Sequence, residues 1–202
     1  ENGELVFWAS GCASCHAVKG AEGDEKLKLG GGHPLNTPFG TFLTPNISAH
    51  PETGIGSWSN QDFYNAMVSG VSPSGDHYYP SFPYASYARM SEQDIIDLFA
   101  YLKTLPIIDR ANENHDLPLP FQWRRTLGVW KAMFLNDDPI VEVSADDPVL
   151  MRGQYLVEGM AHCGECHTPR NPLGGPQYNA WLAGAAAAEG EGFVPNITPH
   201  ES

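Results

Sequence analysis

The sequence predicts an all-α protein of two tandem helical domains with long loops, the second incomplete within the 202 residues. Three observations predict it. The pentapeptide Cys-x-x-Cys-His occurs twice, as Cys12-Ala13-Ser14-Cys15-His16 and Cys163-Gly164-Glu165-Cys166-His167. A second stretch recurs behind each copy: Phe42-Leu43-Thr44-Pro45-Asn46-Ile47 and Phe193-Val194-Pro195-Asn196-Ile197. Pro45 follows Cys15 by 30 residues and Pro195 follows Cys166 by 29, the signature of an internal repeat. Elsewhere, apolar stripes at helical spacing alternate with stretches rich in the 21 glycines and 17 prolines, which read as loops.

The first domain is expected over residues 1–106. Residues 3–11 suit a short helix leading into the first motif, and residues 20–58 lack periodicity and read as a long loop. Ser59 or Asn60 caps a helix through about Ser69, with Phe63 and Met67 one turn apart. A Pro- and Tyr-rich loop fills residues 70–90. Ser91, with Asp94 three residues on, caps a helix whose buried stripe is Ile95, Ile96, Leu98, Phe99 and Leu102, and Pro106 ends it. Residues 107–148 form a linker, extended around Asp116 to Pro120. Trp123, Leu127, Trp130 and Phe134 share one face of a connecting helix over 122–135, expected to pack between the two domains. An acidic tether from Asp137 to Pro148 precedes the second domain, residues 149–202, which opens with a helix from Leu150 to about Met160. The first copy continues about 60 residues beyond the repeat whereas the second reaches Ser202, so its distal part is expected to be missing.

Asp and Glu number 24 against 11 Lys and Arg, a net charge of −13. A surface of that sign repels phosphates, which excludes nucleic-acid binding and electrostatic docking on an anionic membrane. No apolar run approaches the roughly 18 residues of a membrane span. The opening Glu1-Asn2-Gly3-Glu4 carries no signal-peptide pattern, so any export signal is expected to have been removed.

All four cysteines lie in the two pentapeptides. Two thiols three residues apart on one helical turn reach the two vinyl groups of a porphyrin and form thioethers, and the next residue offers an imidazole to the iron. A redox pair expects a thioredoxin-like βαβ context that neither copy has. A zinc site needs four ligands close together and leaves the adjacent histidines unexplained. The expected cofactor is therefore covalent haem c at both motifs: Cys12, Cys15, Cys163 and Cys166 bind the porphyrins, and His16 and His167 ligate the irons. Such attachment belongs outside the reducing cytosol, in the bacterial periplasm or an equivalent.

Each domain resembles class I cytochrome c: helix, Cys-x-x-Cys-His, long loop, distal ligand, C-terminal helix. Gly3 and Phe7, with Tyr101 and Leu102, resemble that family's crossed helix pair. More narrowly, Thr37 to Ile47, Gly54 to Ser59, Tyr79 to Tyr84 and Cys163 to Arg170 resemble the multi-haem cytochrome subunits of periplasmic alcohol, gluconate and sorbitol dehydrogenase complexes. The resemblance places a distal methionine at the end of the Pro-rich loop, where Met90 stands; Met67 is the competitor on a helical face. It places a proximal backbone carbonyl near Pro34-Leu35 and Pro172-Leu173. Asn46, Asn196 and Trp58 are candidate propionate partners, and Tyr78, Tyr79, Tyr84 and Tyr87 candidate crevice walls. Met160 stands too close to Cys163 to reach the opposite face of the second ring, and His200 reads as a solvated loop residue, so the second distal ligand is expected beyond Ser202.

The implied function is electron transfer from a dehydrogenase subunit to a respiratory acceptor such as an oxidase or another cytochrome, not catalysis. The acidic stretch 137–202, with ten acidic and two basic residues, suits partners with basic patches. The rival reading is a di-haem enzyme of peroxidase or thiosulfate dehydrogenase type with an open second site.

Overall fold

In the computed structural model, which describes residues 1–188 and 191–199, the fold starts from two crossed helices. α1 (Asn2–Ala9) lies across the later helix that ends the first core, and Gly3 makes the crossing possible. A Cβ on Gly3 would sit 2.0 Å from the Asp97 carbonyl oxygen, so only a residue without a side chain allows that approach. Phe7 fills the space beside it, fully buried, its ring 5.4 Å from that of Tyr101.

α2 (Cys12–His16) follows, entered through Gly11 in the left-handed region at φ 63°. A 3-10 turn at Gly23–Leu27 leads to β1 (Pro34–Thr37) and β2 (Gly40–Leu43), an antiparallel hairpin pairing Pro34 with Leu43. The expected featureless loop 20–58 therefore contains a hairpin. Its stability comes from outside itself: Thr41 and Asp116 exchange both backbone hydrogen bonds, at 2.8 and 2.9 Å, so the linker lies on β2.

α3 (Asn60–Ser69) begins where Ser59 predicts, with a full capping box: Ser59 Oγ accepts from the Asp62 N–H and the Asp62 carboxylate accepts from the Ser59 N–H. It ends on Gly70 in the left-handed region, where a Cβ would strike the Tyr84 ring at 2.5 Å. α4 (Tyr84–Tyr87) is a single turn, and α5 (Glu92–Leu102) starts on the Ser91 cap. Ile95, Leu98, Phe99 and Leu102 are buried as expected; Ile96 is only half-buried, and the helix stops at Leu102, short of Pro106. Phe63 stacks on Phe99 with ring centroids 4.5 Å apart, locking α3 to α5. Each such large apolar side chain taken fully out of water contributes about 2 kcal/mol.

α6 (Thr126–Phe134) is shorter than the expected 122–135. Prolines at 118 and 120 put the preceding segment into tight turns, leaving Trp123 62% exposed rather than on the packed face. Leu127 and Trp130 are buried as the spacing requires. The helix packs between the chain's two halves: Trp130 Nε1 donates to the Leu173 carbonyl at 2.9 Å while its ring meets Tyr84 edge-on. Lys131, 8% exposed, anchors the same helix, its Nζ donating to the Ser69 and Gly70 carbonyls at 2.7 and 2.6 Å.

α7 (Pro148–Tyr155) is capped by Asp147 and runs into a π-helical turn at Leu156–Met160. There the buried Glu158 carboxylate accepts from the backbone N–H groups of Ile140 and Val141 at 3.0 and 2.9 Å, tying down the acidic tether. α8 (Gly164–His167), a 3-10 turn at Tyr178–Ala180, and the short pair β3 (Ala185–Ala186) and β4 (Phe193–Val194) complete the described chain. The architecture is helical with long loops, its all-α expectation modified by two small hairpins.

Candidate metal centres

In α2, Cys12 and Cys15 stand one turn apart with His16 directly after. His16 Nδ1 donates to the Pro45 carbonyl at 2.8 Å. A carbonyl only accepts, so the proton sits on Nδ1 and the lone pair of Nε2 is left for a metal. Burial lowers the His16 pKa, against the opposing pull of the Pro45 carbonyl, and keeps the ring neutral. That is the state in which imidazole ligates iron.

The second motif repeats this arrangement. His167 Nδ1 donates to the Pro195 carbonyl, also at 2.8 Å. Gly31 N–H donates to the His16 carbonyl at 2.8 Å and Gly184 N–H to the His167 carbonyl at 2.8 Å. Ile47 N–H donates to Leu29 at 3.0 Å and Ile197 N–H to Leu182 at 3.1 Å. Gly31 and Gly184 both take positive φ, and a Cβ on either would collide with the backbone of the proline-bearing strand. The proximal carbonyls thus come from Pro45 and Pro195, not from Pro34-Leu35 or Pro172-Leu173: Pro34 is committed to β1, and the Leu173 carbonyl to Trp130. The recurring Pro-Asn-Ile segment is the sequence signal that marks them.

Burial pushes the Cys12 thiol up to about 12. A redox dithiol needs the opposite shift, toward thiolate. Among the described residues no three His, Cys, Asp or Glu side chains converge on a metal position. The donor set and its geometry fit haem c at both motifs.

Met90 lies one residue before the Ser91 cap, 6% exposed, in the core against which Cys12 packs. Met67 and Met160 are buried in that same core, Met160 reaching it from the chain's second half. Other predicted positions divide. Asn46 is fully committed: its Nδ2 donates to the Ile108 and Arg110 carbonyls at 2.7 and 3.1 Å and its Oδ1 accepts from the Ser48 N–H at 2.9 Å. It staples the linker to the proximal strand and has no group left for a propionate. Asn196 is exposed and caps Thr198, and Trp58 packs on the first core. Tyr79 turns away to Phe42, and Tyr84 to Trp130. Tyr78 meets Phe82 edge-on. Tyr87 hydrogen-bonds the Ser10 carbonyl at 3.0 Å, beside the first motif. His50, His77 and His115 accept from the Thr53 N–H, Lys131 Nζ and the Leu43 N–H; His162 meets the Ser10 carbonyl from beside Cys163 at 3.2 Å. His200 lies outside the described residues.

Paired thiols for covalent attachment, with a neutral, carbonyl-oriented imidazole beneath, define a c-type haem protein. Residues 1–106 match the cytochrome c family, and the chain belongs to it. It is 54% identical over 197 residues to a diheme cytochrome c-type protein of Cereibacter sphaeroides, covering 98% of this chain and 66% of that protein. It is 42% identical over 173 residues to the gluconate 2-dehydrogenase cytochrome c subunit of Pantoea cypripedii, covering 85% of this chain and 38% of the subunit. Identity to the fructose dehydrogenase cytochrome subunit of Gluconobacter japonicus is 37% over 198 residues, 97% of this chain and 40% of the subunit. The chain thus spans two thirds or less of these relatives' lengths. It is a cytochrome c whose two motifs carry the residues for covalent haem c.

Proposed function

We propose that this chain relays single electrons in the periplasm, from a dehydrogenase subunit to a respiratory acceptor. Residues 1–106 and 149–202 are its two haem domains and 107–148 the linker, with His16 and Met90 ligating the first iron and His167 the second. The carrying observation is the doubled proximal scaffold, in which a proline carbonyl holds Nδ1 of each histidine at 2.8 Å. The haem supplies the one-electron ferric/ferrous couple when bound. The chain's part is positional. Cys12 with Cys15, and Cys163 with Cys166, anchor the porphyrins. The Pro45 and Pro195 carbonyls fix the imidazole tautomer and raise its basicity. The buried core against which Cys12 packs, Phe7 and Met90 among it, keeps water away from that side of the first site.

Met90 suits the distal role because it sits on a loop between two helices, buried at 6% beside the core that receives Cys12. A thioether there favours the reduced iron and raises the potential. Met67 lies on α3 one turn from Phe63 and serves as core packing. The dehydrogenase donor is inferred from the names of the relatives, and the acidic character of 137–202 suits a basic docking patch.

The reading is tested by haem counting and carbon monoxide binding. A pyridine haemochrome count of two per chain is expected. Met90→Ala should open the reduced first iron to carbon monoxide and lower its potential. A count of one overturns the two-site reading, and a Met90→Ala protein that binds carbon monoxide no better than the parent overturns the ligand assignment.

A further inference from the structure

The segment carrying Met90 is gripped from the other half of the chain. Tyr155, the last residue of α7, reaches across to the residues just after Met90. Its hydroxyl donates to Asp94 Oδ2 at 2.5 Å and accepts from the Ser91 backbone N–H at 3.1 Å. The other Asp94 oxygen accepts from Asn2 Nδ2 at 2.8 Å, which orients the carboxylate for Tyr155. On the opposite side of Met90, Ser86 Oγ donates to Glu165 Oε1 at 2.7 Å. Glu165 stands between Cys163 and Cys166 and is ion-paired with Arg170, so this contact joins the second motif directly to α4. Between the two grips, a Cβ on Gly159 would meet the Arg89 backbone at 3.5 Å, and Arg89 Nε donates to the Asp138 carbonyl at 2.8 Å. Ser86, Arg89 and Ser91 thus each hydrogen-bond a residue beyond 136.

We propose that Tyr155 and Glu165 are positioning residues for the distal ligand of the other site, so that the second haem domain holds Met90 against the first iron. The proposal rests on the reading of Met90 as that ligand. Met90 sits on a short connection between a one-turn helix and α5. A ligand on a mobile loop must be ordered each time it binds; one already fixed by its neighbours is not. Tyr155 fixes the C-terminal side at Ser91, and Glu165 the N-terminal side at Ser86. The Tyr155 ring packs against the core that holds Met90, while its hydroxyl and the Glu165 carboxylate act through the residues they hold on either side. The consequence is coupling: sulfur ligation at the first site depends on how the second half is seated.

The test uses the whole chain with both haems attached. Ferric protein is titrated with imidazole, which competes with the methionine sulfur for the sixth position. The readout is loss of the sulfur-to-ferric charge-transfer absorption that Met90→Ala also removes. A hydrogen bond to a carboxylate shifts such an equilibrium by about tenfold. In Tyr155→Phe imidazole should therefore displace the sulfur at about tenfold lower concentration. Ser86→Ala, which deletes the other grip without touching the second motif, should shift it in the same direction. In Met90→Ala the added Tyr155→Phe change should leave imidazole affinity unmoved, because no sulfur remains to be held. Tyr155→Phe keeps the ring in place, and if it fails to assemble with both haems, Ser86→Ala carries the test alone. If Met90→Ala removes the absorption but Tyr155→Phe and Ser86→Ala bind imidazole as the parent does, losing only thermal stability, the positioning role is overturned. If Met90→Ala leaves the absorption intact, the ligand assignment itself falls and the positioning role falls with it.

Discussion

Replacing Gly3 by Ala should destabilise the protein, although Ala is the better helix former. The added Cβ would sit 2.0 Å from the Asp97 carbonyl oxygen, 2.7 Å from its carbon and 2.9 Å from Tyr101 Cβ. All are backbone or Cβ atoms, which no side-chain rotation can move away. Ordinary contact needs about 3.5 Å, so α1 and α5 must part by on the order of 1 Å, and a gap of that size forfeits a quarter to a half of each dispersion contact across it. Forced repacking of this kind costs about 1–3 kcal/mol, and a backbone clash belongs at the upper end. Ala in a helix returns about 1 kcal/mol relative to Gly. The net expectation is a loss of about 2 kcal/mol, which lowers Tm by roughly 4–8 °C in a chain of this size. Gly153 in α7 is the internal control, since a Cβ there would meet nothing within 4 Å. Gly153→Ala should keep the propensity gain and stabilise by up to about 1 kcal/mol. Urea unfolding of both variants against the parent decides the matter. If Gly3→Ala stabilises as Gly153→Ala does, the crossing is not the close approach described, and the path from α1 into the first motif needs another account.

Two further outcomes follow from the same geometry. Asn46→Ala leaves the Arg110 carbonyl and the Ser48 N–H unpartnered at a buried site, while the Ile108 carbonyl keeps its bond from Ser48 Oγ, an expected loss of about 2–4 kcal/mol by urea unfolding; Asn196→Ala, at the exposed counterpart, should lose less than about 1 kcal/mol. Burial, then the nearby Lys131 charge, lowers the His77 pKa below 6.5, while Nδ1 accepts from Lys131 Nζ at 2.9 Å. The unfolded chain therefore binds the proton first as pH falls below 6.5, and stability should fall in that window. The loss between pH 7 and 5.5 should be smaller in His77→Gln, and an equal loss in both proteins refutes the assignment.

What the sequence made legible was local. Ser59 with Asp62, and Ser91 with Asp94, announce their helices because a cap and its partner lie within four residues. The paired motifs were legible because covalent attachment demands particular residues at fixed spacing; the Pro-Asn-Ile repeat was visible too, but not that its prolines supply the proximal carbonyls. The hairpin at 34–43 was not, because its strands show no clear alternation and lean on Asp116, more than seventy residues away. The start of α6 was misread because Trp123 keeps the helical period while sitting in a tight turn after Pro120. Asn46 looked like a free polar side chain, since the carbonyls it serves at Ile108 and Arg110 carry no sequence signature. The same blindness hid Tyr155, Glu165 and His162, whose partners lie 61 to 152 residues away.

The two proximal scaffolds match bond for bond, yet their surroundings do not. Around the first, Asn46 is buried and ties in the linker; around the second, Asn196 is exposed. Met160, in the second half, is 3% exposed within the first core rather than in a core of its own. The Ser10 carbonyl, two residues ahead of Cys12, accepts from Tyr87 in the Met90 segment and from His162 beside Cys163. One backbone oxygen therefore joins the first motif, the distal segment and the second motif. A Cβ on Gly11, next to Cys12, would lie 3.8 Å from Nε2 of His162, next to Cys163, so the entries to the two attachment turns meet. An apolar seam would allow the halves to slide with little change in energy. Directional hydrogen bonds at Ser10, Asp94 and Glu165 do not, because a shift of about 1 Å breaks them and leaves buried polar groups unpaired. The mutual placement of the two attachment turns is thus fixed by polar contacts, which suits a relay in which each turn must present its porphyrin at a constant separation from the other.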